Sequence, residues 1–165
     1  MQVIKPESLI QMPKYPVSMF LAGAIDQGSA RDWQKEVEAA LEDVDVTIYN
    51  PRNDSWRAWE VQSKDNPYFR NQVEWELNRL RKSDIIILVL PADSKAPISL
   101  LELGLNAGQT RVVVCCEEGF YRKGNIDIVC EMYNIPNFPV LDDAIAFVKE
   151  KVIKVQSTYN KLYIR

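Results

Sequence analysis

The chain has 165 residues, 47% of them hydrophobic and 26% charged, which fits one domain with a substantial core. Its formal net charge of −3 supplies no basic field for a nucleic-acid polymer, and no apolar run reaches membrane-span length. It contains no histidine, which excludes Ser-His-Asp and Cys-His catalysis and histidine-based metal sites; acid–base chemistry within the chain rests on carboxylates, Tyr, Lys or Cys.

Residues 1–16 carry three prolines and read as an irregular lead-in. Val17–Ala22 is the first strand, followed by a loop from Gly23 to Gly28. Ser29 is the expected N-cap of a helix through about Leu41, with Trp33, Val37 and Leu41 at helical spacing. Val44–Tyr49 is the second strand, left through Asn50-Pro51-Arg52. A long polar loop carrying Trp56 and Trp59 has the character of a lid or binding loop, and a helix from Phe69 to Arg81 follows.

Asp84–Leu90 is a near-continuous apolar run, the signature of a central parallel strand covered on both faces. After the loop Pro91–Pro97, a helix opens at Ser99 and is expected to pack tightly at Gly104 and Gly108. Arg111–Cys116 is the fourth strand, and a loop from Glu117 to Asn125 leads to a short helix, Ile126–Tyr133. Phe138–Val140 is a short fifth strand and Asp142–Val155 the last helix. The apolar tail 156–165 is expected to pack on its own domain or on a neighbouring subunit.

Alternating β and α elements predict a single α/β domain over residues 1–165. The expected architecture is a three-layer sandwich around a parallel sheet of about five strands in the flavodoxin-like order 2-1-3-4-5. Ligands of such sheets gather beyond the carboxyl ends of the strands, where the loops Gly23–Gly28, Asn50–Arg52 and Pro91–Ser99 converge. Gly23 either lets backbone approach a ligand closely or is an ordinary turn glycine. Asp26 is placed to bond sugar hydroxyls or to cap its turn, and Arg52 to grip a phosphate or carboxylate or to make a surface salt bridge.

Glu102 has two readings. Ser99-x-x-Glu102 has the form of a capping box, with Ile98 and Leu103 as its hydrophobic staple. Alternatively, Glu102 is a carboxylate at the strand mouth that attacks an electrophilic carbon. A nucleophilic carboxylate with a second carboxyl as acid cleaves glycosidic bonds without histidine or metal, and Glu76, Glu74 and Asp84 are the nearest acids in sequence. Trp56, Trp59, Trp75 and Phe69 can stack on a base or serve as packing anchors. Cys115, Cys116 and Cys130 have no metal-ligand spacing and read as reduced, buried thiols of a cytoplasmic protein.

Several segments taken in order, over roughly residues 17–130, carry a resemblance. They are Phe20-Leu-Ala-Gly-Ala-Ile25, Asn50-Pro-Arg52, Gln72-Val-x-Trp-Glu76, Ser83-Asp84-Ile, Pro97-Ile-Ser-Leu-Leu-Glu-Leu-Gly104 and Gly119-Phe-Tyr-Arg-Lys-Gly-Asn125. Together they resemble the nucleoside 2-deoxyribosyltransferase-like family. The resemblance implies a flavodoxin-like fold and cleavage of the N-glycosidic bond of a 2′-deoxynucleoside or its 5′-monophosphate. It makes Glu102 the nucleophile on the anomeric carbon and Glu76 the acid/base that protonates the departing base. The deoxyribosyl-enzyme is then captured by another base or by water.

Transferases of the family carry an aspartate six residues before the nucleophile, where this chain has Ala96, and Asp93 is the nearby substitute. The tyrosine that supports the nucleophile from the first strand in some members is Met19 here. The substrate contacts expected are Gly23, Ile25, Asp26, Asn50, Arg52, Trp56, Ser99 and Asn125, the last either a ligand contact or a turn residue. Partners are a nucleoside or nucleotide and a free base, with no cofactor, no metal, no nucleic-acid polymer and no membrane. A homo-oligomer is expected, with the aromatic tail available to a neighbour. Two other readings stand beside the enzyme: a nucleotide-binding or sensing module without chemistry, and an interaction protein in which Glu102 is only a cap.

Overall fold

The computed structural model describes residues 1–7, 11–25, 31–53 and 61–163, with side chains through 161. Its sheet has six parallel strands: β1 (Gln2–Ile4), β2 (Ser18–Gly23), β3 (Thr47–Tyr49), β4 (Ile85–Leu90), β5 (Val112–Cys116) and β6 (Asn137–Phe138). They lie in the order β1-β3-β2-β4-β5-β6, so the five strands legible in the sequence take the expected flavodoxin-like order. The sixth, β1, is an addition at the edge, within the segment expected to be an irregular lead-in. Gln2 holds it there: its backbone N–H donates to Val46, and its side chain accepts from the Lys14 N–H at 2.6 Å.

Side-chain alternation divides the core. Phe20, Ala22, Ile86, Leu88 and Leu90 face a layer of three helices, α2 (Pro67–Lys82), α3 (Pro97–Asn106) and α4 (Lys123–Tyr133). Met19, Leu21, Ile85, Ile87 and Val89 face α1 (Trp33–Ala40) and α5 (Leu141–Tyr163). All six residues of β4 are buried, because a central parallel strand is covered on both faces.

Several helix boundaries depart from expectation. Asp32 caps α1, its side chain accepting from the Lys35 N–H, while Ser29 lies outside the described residues. Asn66 caps α2 and Pro67 takes the first helical position, where a missing N–H costs nothing. The last helix does not stop at Val155 but continues through the tail to Tyr163. Tyr159 packs back on the helix's own domain and donates to Asp84 Oδ1 at 3.1 Å.

One expectation about glycines is corrected. A Cβ at Gly104 or Gly108 would meet nothing within 4 Å, so neither makes the α3 region tight. Gly23 is different: at φ 145° it pairs with Val89 across the two central strands, and a Cβ would collide with the Val89 carbonyl oxygen and lie 2.8 Å from Trp33 Cζ2. This glycine permits a close approach to the neighbouring strand.

Candidate functional site

The β4–α3 connection sets the site. The Pro91–Ser94 turn is closed by the Ser94 N–H on the Pro91 carbonyl at 3.1 Å, and Ala96 then adopts a left-handed conformation, φ 43° and ψ 51°. Pro97 begins α3 directly after it, and no side chain caps the helix. The helix therefore starts two residues before Ser99. The capping-box reading of Ser99-x-x-Glu102 is corrected: both residues lie inside α3, with Glu102 in its second turn. Ser99 and Glu102, three residues apart, share one buried helix face, 4% and 8% exposed.

Among the described residues, no group donates a hydrogen bond to the Glu102 carboxyl; the Asn106 side chain bonds the Glu102 backbone carbonyl instead. A buried carboxyl without donors resists ionisation. Burial, and next the neighbouring charge of Glu76, push the Glu102 carboxyl up to about 8. Glu76, half-buried on α2, is raised by burial too, but it accepts a 2.6 Å hydrogen bond from Gln72 Nε2, which favours its anion. Two carboxyls of unequal environment, on α2 and α3, thus lie within reach of each other's charge. Such a pair can divide the tasks of nucleophile and acid.

Gln72 joins the site without having been expected there. It is 8% exposed and bonds three residues, one on its own helix and two in the segment after β3. Its Nε2 also donates to the Pro51 carbonyl at 3.1 Å, and its Oε1 accepts from Asn53 Nδ2 at 3.2 Å. The Asn53 amide reaches Tyr68 Oη as well, at 3.1 Å. The sequence does carry a signal for it: a glutamine four residues before Glu76 lies on the same face of a helix.

The Asn50-Pro51-Arg52 segment is built from within. Asn50 is buried; its Oδ1 accepts from the Arg52 N–H at 2.8 Å and its Nδ2 donates to Glu38 at 2.7 Å. This turn aims Arg52 back at α1, where its guanidinium lies 3.8 Å from Asp32 and 3.5 Å from Gln34 Oε1. Gly23 ends β2, and half-buried Ile25 follows two residues beyond it. Asp26, Trp56 and Trp59 lie outside the described residues.

The remaining candidates lie apart. Asp93 is exposed in the Pro91–Ser94 turn, and Glu76, not Asp93, is the acid whose charge acts on Glu102. Asn125 is exposed in the first turn of α4 and lines a groove of about 360 Å³ with Leu100, Leu103, Tyr121 and Arg122; neither Ser99 nor Glu102 lines it. Asp84 stands at the amino end of β4, where it accepts from the Ser18 N–H and hydroxyl, both at 2.8 Å; it is a structural acid. Trp75 packs edge-on against Tyr49 at 6.2 Å, a core anchor. Burial pushes the Cys115 thiol up to about 12 and the Cys116 and Cys130 thiols to about 11, leaving them protonated at neutral pH. Among the described residues, no group of three His, Cys, Asp or Glu could hold a metal ion, and no helix is long and apolar enough to cross a membrane.

Comparison with known families supplies an independent observation. The family model described as nucleoside 2-deoxyribosyltransferase like matches residues 16–120, well over half of the chain. The chain belongs to the nucleoside 2-deoxyribosyltransferase-like family. No curated protein matches it. The match spans β2 through β5 and contains Gln72, Glu76 and Glu102, whereas Asn125 and α5 fall beyond it.

Two differences from the pattern expected of nucleoside 2-deoxyribosyltransferases now have a structural description. Met19 is wholly buried on the α1 and α5 side of the sheet, opposite the layer that holds α3, so it does not support Glu102. Ala96 is buried at the N-cap of α3 and brings no acid to the pair.

Proposed function

We propose that this protein cleaves the N-glycosidic bond of a 2′-deoxynucleoside or its 5′-monophosphate through a covalent glycosyl intermediate on Glu102. The observation that carries the reading is the carboxyl pair: Glu102 is buried, its carboxyl has no donor among the described residues, and it feels the charge of Glu76 from the adjoining helix. A structural carboxylate would be satisfied by donors. A nucleophile must be dry, aimed and free to attack.

In this reading the Glu102 carboxylate attacks C1′ while the bond to the base breaks, its electron pair leaving on the base nitrogen. Glu76 delivers the proton that neutralises the departing base, then accepts one from the incoming base or water that releases the sugar. Ser99, on the same face as Glu102, has a hydroxyl with no hydrogen bond among the described residues and contacts the sugar or the intermediate. Arg52 supplies positive charge for a 5′-phosphate at the carboxyl end of β3, held in place by Asp32 and Gln34. Gly23, Ile25, Asp26 and Trp56 are proposed to frame the sugar and base from the neighbouring loops.

Incubation with 2′-deoxynucleosides and their 5′-monophosphates, with and without a free base, followed by chromatography, tests the reading. Free base released without an acceptor is expected of a hydrolase; a new deoxynucleoside formed only with acceptor is expected of a transferase. Unchanged substrates in every sample would overturn the reading. A binding module that kept the crevice and lost the chemistry is the second reading, favoured by Ala96 at the position of a transferase aspartate. It predicts saturable binding without base release.

A further inference from the structure

The carboxyl pair has a direction that the mechanism must reverse. Attack on C1′ needs Glu102 ionised and Glu76 protonated. The free protein is arranged the other way: Gln72 donates to Glu76 Oε1, while the Glu102 carboxyl receives no hydrogen bond among the described residues and only its backbone carbonyl is bonded, by Asn106. We propose that Gln72 is a positioning residue that directs the single proton of the pair, holding the charge on Glu76 and the proton on Glu102 until substrate is bound. The inference rests on the function proposed above and adds a regulation of the same site.

The geometry makes Gln72 suited to this. Its amide cannot swing freely, because the Nε2 that bonds Glu76 also donates to the Pro51 carbonyl at 3.1 Å. Its Oε1 is fixed from the other side by Asn53 at 3.2 Å. The donor end is therefore assigned to Glu76 by its other partners and not by Glu76 alone. Among the described residues, the charged group acting on Glu102 is Glu76, and the influences on Glu76 are burial and Gln72. The core face below this helix layer offers apolar side chains, Phe20, Ala22, Leu88 and Leu90 among them.

During turnover the proton leaves Glu102 and enters Glu76 on Oε2, the oxygen that Gln72 does not bond. This one transfer creates the nucleophile and arms the acid together. Glu102 then forms its bond to C1′, the C1′–N electron pair goes to the base, and Glu76 gives the proton to that nitrogen. Glu76 returns to the anion that Gln72 favours. When the sugar is released, the incoming nucleophile gives its proton to Glu76 and the freed Glu102 carboxylate takes it back, restoring the start.

Carboxyl titration by NMR on protein labelled with 13C-glutamate, without substrate, tests this. Glu76→Gln and Glu102→Gln assign the two signals. In the unaltered protein Glu76 is expected to titrate at lower pH than Glu102. In Gln72→Leu, the Glu76 midpoint is expected to rise by about one pH unit and the Glu102 midpoint to fall, because a less charged Glu76 repels Glu102 less. A structural role for Gln72 would not move the two midpoints in opposite directions. Gln72→Met keeps the side-chain length without the amide and gives the same readout if the leucine variant does not fold. Unmoved midpoints in a folded variant would overturn the inference. Protein whose midpoints move in opposite directions but which leaves every nucleoside intact would overturn the proposed function instead, so the two failures are separable.

Discussion

Glu102→Gln is expected to lower turnover by about 10³-fold or more and, at the same time, to raise stability at alkaline pH. The loss follows from removing a nucleophile whose attack opens the reaction. The gain follows from linkage. The folded Glu102 carboxyl is pushed up to about 8 from an ordinary 4.5, by burial first and by Glu76 second. A folded value above the unfolded one means that the native state holds the proton more tightly. The stability from this group is full below the ordinary carboxyl value and is lost as pH rises through about 8. Each tenfold change in acidity is worth about 1.4 kcal/mol, so ionised Glu102 costs the native state several kcal/mol.

Glutamine keeps the shape and never ionises. Urea unfolding from pH 5 to 9 should therefore show the two proteins converging at the acid end and the variant pulling ahead at the alkaline end. A capping carboxylate has the opposite signature: its stabilisation grows as it ionises, and losing it costs about 0.5–2 kcal/mol. A variant less stable than the parent at pH 8, with turnover intact, would show that the Glu102 carboxylate stabilises the fold and does not carry the reaction.

Gly23→Ala is expected to destabilise the fold by about 2–5 kcal/mol through two additive causes. At φ 145° the backbone occupies a region that L side chains rarely enter, a strain of about 1–3 kcal/mol. The new methyl would also strike the Val89 carbonyl oxygen and the Trp33 ring, and Val89 belongs to the fully buried central strand and cannot retreat. Trp33 is fixed in turn by its indole N–H on the Ala24 carbonyl at 2.8 Å. A urea midpoint near that of the parent would show that β2 can relax away from β4, and that the crevice at its end is less rigid than described.

The central layout is legible in the sequence because it depends on local signals that tertiary structure reinforces. The apolar run Ile85–Leu90 can hardly be anything but a covered parallel strand, and the alternation of strands and helices fixes a doubly covered sheet. The features that escape such a reading have a weak local signal or none. The strand β1 is three residues long and exists through pairing with β3 and through the Gln2 side chain. The start of α3 is hidden because Ala96, in a left-handed conformation with no capping side chain, leaves no mark in the sequence. Ser99-x-x-Glu102 offers a familiar pattern two residues too late, although Pro97 carries the correct one.

The tail is the converse case. Val152, Val155 and Tyr159 keep helical spacing past the expected end, so the continuation of α5 is readable. At the site, Glu102 and Glu76 stand out in the sequence as carboxylates of suitable chemistry, and the fold brings them into electrostatic contact. Gln72 is marked only by its spacing from Glu76, and Asn53 and Tyr68 do not stand out, since a hydrogen-bond chain between a loop and a helix face is a property of the folded chain.

The most direct test of the account is to mix the protein with a 2′-deoxynucleoside, or its 5′-monophosphate, quench with acid on the turnover timescale and map the peptides by mass spectrometry. The account predicts a deoxyribosyl adduct, phosphorylated when the monophosphate is used, on the peptide containing Glu102. It predicts the adduct to vanish in Glu102→Gln and to decay when an acceptor base is supplied. Base release with no adduct on that peptide, or an adduct on another residue, would contradict it.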